Sequence, residues 1–191
     1  MRKNAQLFTP LHRGLHWWAA LLMFVLFITG FLRMNWMSKK VVKAAIDDKM
    51  AGVQYTPEQA MAVAKAVLKP MWQWHEYAAY FFFAVLFIRI VYMLVKGVRF
   101  PNPFSSGITL KQRLQGSVYL LFYLFVVLSS VTGAYLKWFK GDWKEPIEAI
   151  HKWGMYWFPI FILFHFVGIW MAEKTYQQKG ITSKMIGGDD E

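Results

Sequence analysis

Five histidines are the residues of this chain whose type and spacing point most directly to chemistry: His12, His16, His75, His151 and His165. All except His12 lie within or at the edge of long apolar runs. An imidazole placed in hydrocarbon needs a polar or metal partner, and ionisable residues inside a membrane are functional candidates by default. Because neutral imidazole is an axial ligand of haem iron, these four histidines predict b-type haem ligation.

The spacing of the histidines predicts two facing pairs at two depths. His151 and His165 are 14 residues apart, which on one helix places them about 40° apart around the axis and ~21 Å apart along it. His75 starts a run that crosses in the same direction as that of His151, whereas His16 starts the first run from the other side. We therefore predict that His75 pairs with His151 near the outer side and His16 with His165 near the inner side, each pair bridging two helices.

Two further residues repeat the 14-residue spacing. Gly30 follows His16 by 14 residues, and Arg89 follows His75 by the same interval. Gly30 is predicted to leave room for the outer haem ring, and Arg89 to pair with a propionate of the inner haem. Helix packing at Gly30 and snorkelling of Arg89 to the interface are equally compatible interpretations.

The sequence gives only weak evidence for a functional role of the other polar residues near these positions. His12 lies one helical turn before His16, a spacing that can hold a metal, but an interfacial residue near the inner haem or a quinone pocket is the favoured interpretation. Glu76 and Glu173 could carry protons at the two haem levels, although ordinary interfacial carboxylates are favoured. Gly133 is expected to serve helix packing.

Four apolar runs must position these residues. Hydrophobic residues make up 57% of the 191-residue chain and charged residues 17%, with a mean hydropathy of +0.28, whereas soluble domains carry about 25% charged residues. Each run is long enough to cross a ~30 Å hydrocarbon layer. The predicted fold is a single-domain, all-α integral membrane four-helix bundle with two b haems. Its spans are predicted at residues 15–34, 72–95, 117–138 and 147–171, with a long outer loop at 35–71.

The distribution of cations predicts the orientation of the spans. Residues 1–14 and the second-to-third connection carry Lys and Arg without acids, which by the positive-inside rule places both termini in the cytoplasm. In the outer loop, Thr56 to Gln59 has the pattern of a helix start, and the alanines and valines through Leu68 suit a helix near the outer membrane face. A plain surface helix is favoured there over a partner-docking element.

Charge and cysteine content exclude several classes. In a soluble chain, a net charge of +11 would indicate nucleic-acid binding. Here the cations lie beside apolar runs, so their role in orienting the membrane spans explains them, and no nucleic-acid partner is expected. The chain has no cysteine, which excludes disulfides, iron–sulfur clusters and covalent c-type haem. The apolar run after the N-terminal segment lacks a small-residue cleavage site, so it is interpreted as a span rather than a signal peptide.

Several motifs together resemble the bacterial cytochrome b561 superfamily, which includes the cytochrome b subunits of nickel–iron hydrogenases and formate dehydrogenases. The resemblance covers nearly the whole chain, and the four-histidine pattern is its most specific part. The motifs that carry it are Arg13, His16 and Trp17 at the first span, Trp74, His75 and Arg89 in the second, Thr132 and Gly133 in the third, His151 and His165 in the fourth, and the tail at 180–187.

The resemblance implies that His16, His75, His151 and His165 are the axial ligands and that a quinone site lies near the inner haem. The corresponding function is electron transfer in the bacterial cytoplasmic (inner) membrane, between an outer redox partner subunit or small donor and menaquinone or ubiquinone. A stand-alone enzyme that oxidises superoxide with quinone is one variant. The alternatives are a histidine-lined transporter or metal channel without haem, and a non-redox assembly factor. Oligomeric state stays open.

Overall fold

The computed structural model describes residues 9–97, 100–139, 141–174 and 180–187. These residues form helices joined by short connections, and no strand occurs in the described ranges. The fold is therefore all-α, as predicted. The helices are α1 (Pro10–Met34), α2 (Lys39–Lys49), α3 (Pro57–Lys96), α4 (Leu110–Trp138), α5 (Lys144–Lys152), α6 (Gly154–Glu173) and α7 (Ile181–Ile186).

Within the described ranges, four segments are long and apolar enough to span a membrane: α1, α3, α4 and the α5–α6 segment. At most 22% of the residues in any of their most apolar windows are buried within the protein. Large side chains such as Leu94 and Leu163 are 76% and 62% exposed. In water this apolar surface would be strongly unfavourable, whereas lipid tails solvate it. The chain is a multi-pass membrane protein, which confirms the predicted class.

The chain divides into two compact units. The first unit contains the described residues up to His16 and from Ile88 onward. In this unit α4 packs on α5 and α6, and α7 packs on α6. The second unit contains Trp17–Phe87. Its buried residues include Ala60, Ala64 and Leu68, which repeat every four residues along one face of α3.

Helix α3 starts where the capping pattern predicts. The backbone N–H of Thr56 donates to Gln59 Oε1 at 2.8 Å, and the N–H of Gln59 donates to Thr56 Oγ1 at 3.3 Å. The predicted outer helix, however, is no separate element. It continues through Pro70 into the span as one 40-residue helix, about 60 Å long and so longer than the hydrocarbon layer. The helix continues through Pro70 because its N-terminal part buries Ala60, Ala64 and Leu68. This burial offsets the loss of the backbone hydrogen bond that proline cannot donate.

The fourth span differs from the predicted single helix. Helix α5 ends at Lys152 and α6 begins at Gly154, with a turn at Trp153 whose N–H donates to the Ile150 carbonyl at 3.0 Å. Glycine at the junction and Pro159 in the second turn of α6 both disfavour an uninterrupted helix. The argument that His151 and His165 share one helix face assumed a continuous helix, and the structure does not have one.

Helix α7 is held by a carboxylate at the end of α6. Glu173 accepts hydrogen bonds from the backbone N–H groups of Gly180 at 2.8 Å and Thr182 at 2.7 Å. At the other end of α7, Arg13 Nη1 donates to the Lys184 carbonyl at 3.3 Å. Glu173, considered above as a proton carrier, therefore satisfies orphan donors at the start of a helix.

Replacing Glu173 should loosen this attachment. Hydrogen bonds to a charged group contribute about 1.5–3 kcal/mol, so we expect Glu173→Ala to speed amide exchange at Thr182 by roughly tenfold or more. Hydrogen exchange with mass spectrometry of the peptide containing residues 180–187 measures this. Glu145→Ala, an exposed acid in the first turn of α5, is the control. Equal exchange in wild type and Glu173→Ala would contradict the anchoring role.

Candidate functional site

In the first unit, His16 near the start of α1 lies beside His165 in the middle of α6. Thr9 caps α1, because its side-chain oxygen accepts from the His12 N–H at 3.3 Å and its carbonyl from the Arg13 N–H at 3.0 Å. The His16 and His165 ring centroids lie 6.0 Å apart with the planes tilted by 41°. Both side chains are half-buried.

This separation fits a metal held between the two rings. At metal–nitrogen bonds of ~2.0 Å, imidazoles on opposite sides of one ion have ring centroids roughly 6 Å apart. Phe161 stacks on His165 at 5.5 Å and fixes one face of that ring. The arrangement thus suits two axial imidazoles on one iron, which is the donor set of a bis-histidine haem.

Arg89 and His12 add a polar cluster beside this pair. The Arg89 guanidinium is within electrostatic range of His12, His16 and His165. Its Nη1 is buried without a hydrogen-bond partner in the described part of the chain, and so is His12 Nδ1. His12 is only 5% exposed and meets Tyr92 edge-on at 5.7 Å. Buried polar atoms normally have partners, so the cluster has the capacity to bind a polar group such as a carboxylate.

His151 is oriented by α4. Its Nδ1 lies 3.0 Å from the Ser129 carbonyl oxygen and 3.1 Å from Thr132 Oγ1. A carbonyl only accepts, so Nδ1 carries the hydrogen and the neutral ring keeps the lone pair on Nε2. Such a backbone or side-chain partner is the usual second contact of a metal-binding histidine.

Gly133 gives the His151 ring its space. A Cβ at this position would lie 3.1 Å from His151 Cε1, closer than ordinary van der Waals contact. The predicted packing role of Gly133 is therefore specific: it accommodates an imidazole.

A larger residue at this position should displace the imidazole. We expect Gly133→Val to destabilise the protein by about 1–3 kcal/mol through overpacking, measured by thermal unfolding in detergent. Gly168→Val is the matched control, because nothing lies within 4 Å of a Cβ there. Equal unfolding temperatures for the two variants would contradict the steric explanation.

His75 has a similar environment in the second unit. Its Nδ1 lies 2.7 Å from Thr29 Oγ1, and Trp72 stacks on its ring at 5.0 Å with the planes 3° apart. Thr29 donates its own hydrogen to the backbone carbonyls of Val25 and Leu26, at 2.7 and 3.1 Å. A hydroxyl hydrogen directed to these carbonyls leaves a lone pair of Thr29 Oγ1 facing His75 Nδ1, and the tautomer with the hydrogen on Nδ1 keeps its lone pair on Nε2.

The other predicted site residues are placed as follows. His75 and His151 belong to different units, so their pairing stays a prediction from sequence. Gly30 is half-buried in α1, and its predicted role beside a haem ring also stays a prediction. Glu76 is half-buried one residue after His75. In the described ranges no three His, Cys, Asp or Glu side chains group together to hold a metal ion.

Thr29 is the contact that sequence reasoning missed. A signal for it exists, because Thr-Gly occurs twice in this sequence, at Thr29-Gly30 and at Thr132-Gly133. Both threonines are buried, at 8% and 6% exposure. A matched pair of such dipeptides late in the first and third spans indicates a shared local role.

Comparison with known proteins agrees with this chemistry. The family described as prokaryotic cytochrome b561 matches residues 7–188 of the chain. No curated protein and no solved structure matches the chain at a significant level. The match includes all five histidines, the four spans and α7. This chain belongs to the prokaryotic cytochrome b561 family of membrane b-type cytochromes.

Proposed function

We propose that this chain binds two b haems and transfers electrons between an outer redox partner or small donor and membrane quinone. The observation that carries the proposal is the 6.0 Å separation of the His16 and His165 rings, which joins the start of α1 to α6. Two imidazoles half-buried in an apolar segment at this distance suit one iron. Haem iron supplies reversible one-electron chemistry at such a site.

The residues have distinct roles in this proposal. His16 and His165 hold the inner haem, while His75 and His151 hold the outer one. The latter pair is supported by matched sequence registers and by the Nδ1 hydrogen bonds that direct each Nε2 lone pair away from its threonine. The apolar side chains around the ligands exclude water and so help to set the reduction potential.

Arg89 and His12 serve the inner level. The unpartnered Arg89 Nη1 is a donor for a haem propionate, which would neutralise this half-buried cation and give its buried Nη1 a hydrogen-bond partner. His12, buried beside Tyr92, offers a donor or acceptor to a quinone carbonyl or hydroxyl near the same haem. The quinone is menaquinone or ubiquinone, and both termini lie on this cytoplasmic side.

A quantitative spectrum tests the proposal. The chain is expressed with ample haem supply and purified, and its reduced-minus-oxidised spectrum is recorded with haem measured against protein. We expect b-type bands and about two haems per chain, with reoxidation of the reduced protein by added quinone. A colourless protein would overturn the proposal and favour a histidine-lined transporter, metal channel or assembly factor.

A further inference from the structure

We propose that Thr29 and Thr132 are positioning residues, each of which accepts the Nδ1 hydrogen of one outer histidine and thereby presents that histidine's Nε2 for metal binding. The inference rests on the proposed haem function. It goes further in assigning the iron-binding nitrogen of His75 and His151, and in naming two residues that control the outer haem alone.

The threonine geometry supports one direction for each hydrogen bond. Thr29 Oγ1 donates to Val25 O at 2.7 Å, and Thr132 Oγ1 donates to Leu128 O at 2.7 Å, one helical turn earlier in each case. A hydroxyl has a single hydrogen. Since both hydrogens point to the helix backbone, each Oγ1 offers only lone pairs to its histidine.

The same local structure therefore occurs once in each unit. Thr29 contacts His75 at 2.7 Å in the second unit, and Thr132 contacts His151 at 3.1 Å in the first. His151 has the Ser129 carbonyl as an additional acceptor at 3.0 Å. Loss of Thr132 is thus partly compensated by the Ser129 carbonyl.

Back-bonding of threonine to its own helix is common in membrane helices and by itself implies no role. Ser130 provides the comparison within α4, because its Oγ donates to the Val126 carbonyl at 2.5 Å in the same way. Ser130 lies two residues before Thr132, and its hydrogen bond to the Val126 carbonyl does not involve a histidine. A purely structural role would make Ser130 and Thr132 variants alike.

The hydrogen bond has an electronic consequence. An acceptor on Nδ1–H raises the basicity of the ligating nitrogen, which favours the ferric over the ferrous iron. Removing the acceptor should therefore raise the midpoint potential of the outer haem and weaken its retention. The inner haem, held by His16 and His165, should keep its potential.

The test compares Thr29→Val, Thr29→Ser, Thr132→Val and Ser130→Ala in the full chain. Valine keeps the shape of threonine and removes the acceptor, whereas serine restores it. Redox titration gives the two midpoint potentials, low-temperature electron paramagnetic resonance reports the ligand field, and transfer to apomyoglobin measures haem loss. We expect Thr29→Val to lose the outer haem about 10- to 100-fold faster and to raise the midpoint potential of that haem. Thr132→Val should change both quantities in the same direction, partly offset by the Ser129 carbonyl. Thr29→Ser and Ser130→Ala should behave as the wild type.

The outcomes separate this inference from the proposed function. A wild-type chain without haem defeats the proposed function, and this inference with it. A two-haem wild type whose Thr29→Val variant keeps both potentials and its haem overturns the inference alone, as does an equal shift of both haems. If Thr29→Val does not accumulate, Thr29→Ala gives the same readings, and failure of Thr29→Ser to behave as wild type would also count against the assignment.

Discussion

Replacing His165 by alanine is expected to reduce the haem content from about two per chain to about one. The remaining haem should be the outer one, because His75 and His151 are unchanged. The physical reason is that His165 and His16 lie with ring centroids 6.0 Å apart, so removal of one imidazole leaves a single axial ligand for the inner iron. Haem quantification and redox titration measure the result, with one of the two midpoint potentials absent.

Phe164→Ala is the matched control for this variant. Phe164 lies next to His165 on α6 and is 54% exposed. Its replacement by alanine removes a comparable side-chain volume at the lipid-facing surface. It should retain both haems. If His165→Ala loses the two haems in equal proportion, or keeps both, then His16 and His165 do not form a separate ligand pair.

A double replacement tests the outer pair with an equally large expected effect. His75→Ala and His151→Ala should each leave about one haem, and the combined His75→Ala, His151→Ala variant should also keep about one. Residues that act on one site are strongly non-additive, because the second replacement finds nothing left to remove. The combination of His75→Ala with His165→Ala should instead leave no haem.

The pattern across these combinations decides the pairing. A colourless His75→Ala, His151→Ala variant would show that these histidines serve different haems, which contradicts the predicted registers. Tyr77→Phe, an exposed position two residues after His75, controls for disturbance of α3. Haem stoichiometry and membrane yield are measured for every variant, so that loss of protein is distinguished from loss of haem.

Local sequence patterns predicted some of this protein well. The apolar runs are the four candidate spans, and Thr56 and Gln59 form the predicted capping box. These features depend on residues within one or two helical turns, so their physics is contained in a short stretch of sequence. Helix lengths were less predictable, because α3 begins 15 residues before the predicted span and the fourth span is interrupted at Trp153.

The sequence by itself determined the class of the protein, through its hydropathy, and the candidate ligands, through four histidines in apolar runs. The tertiary structure decided which side chains those histidines contact. It placed His16 beside His165, put Thr29 and Thr132 on the Nδ1 atoms of His75 and His151, and used Glu173 to hold α7. The reason is that hydropathy is a sum over neighbouring residues, whereas a hydrogen bond between side chains 46 residues apart, as for Thr29 and His75, depends on how separate helices meet.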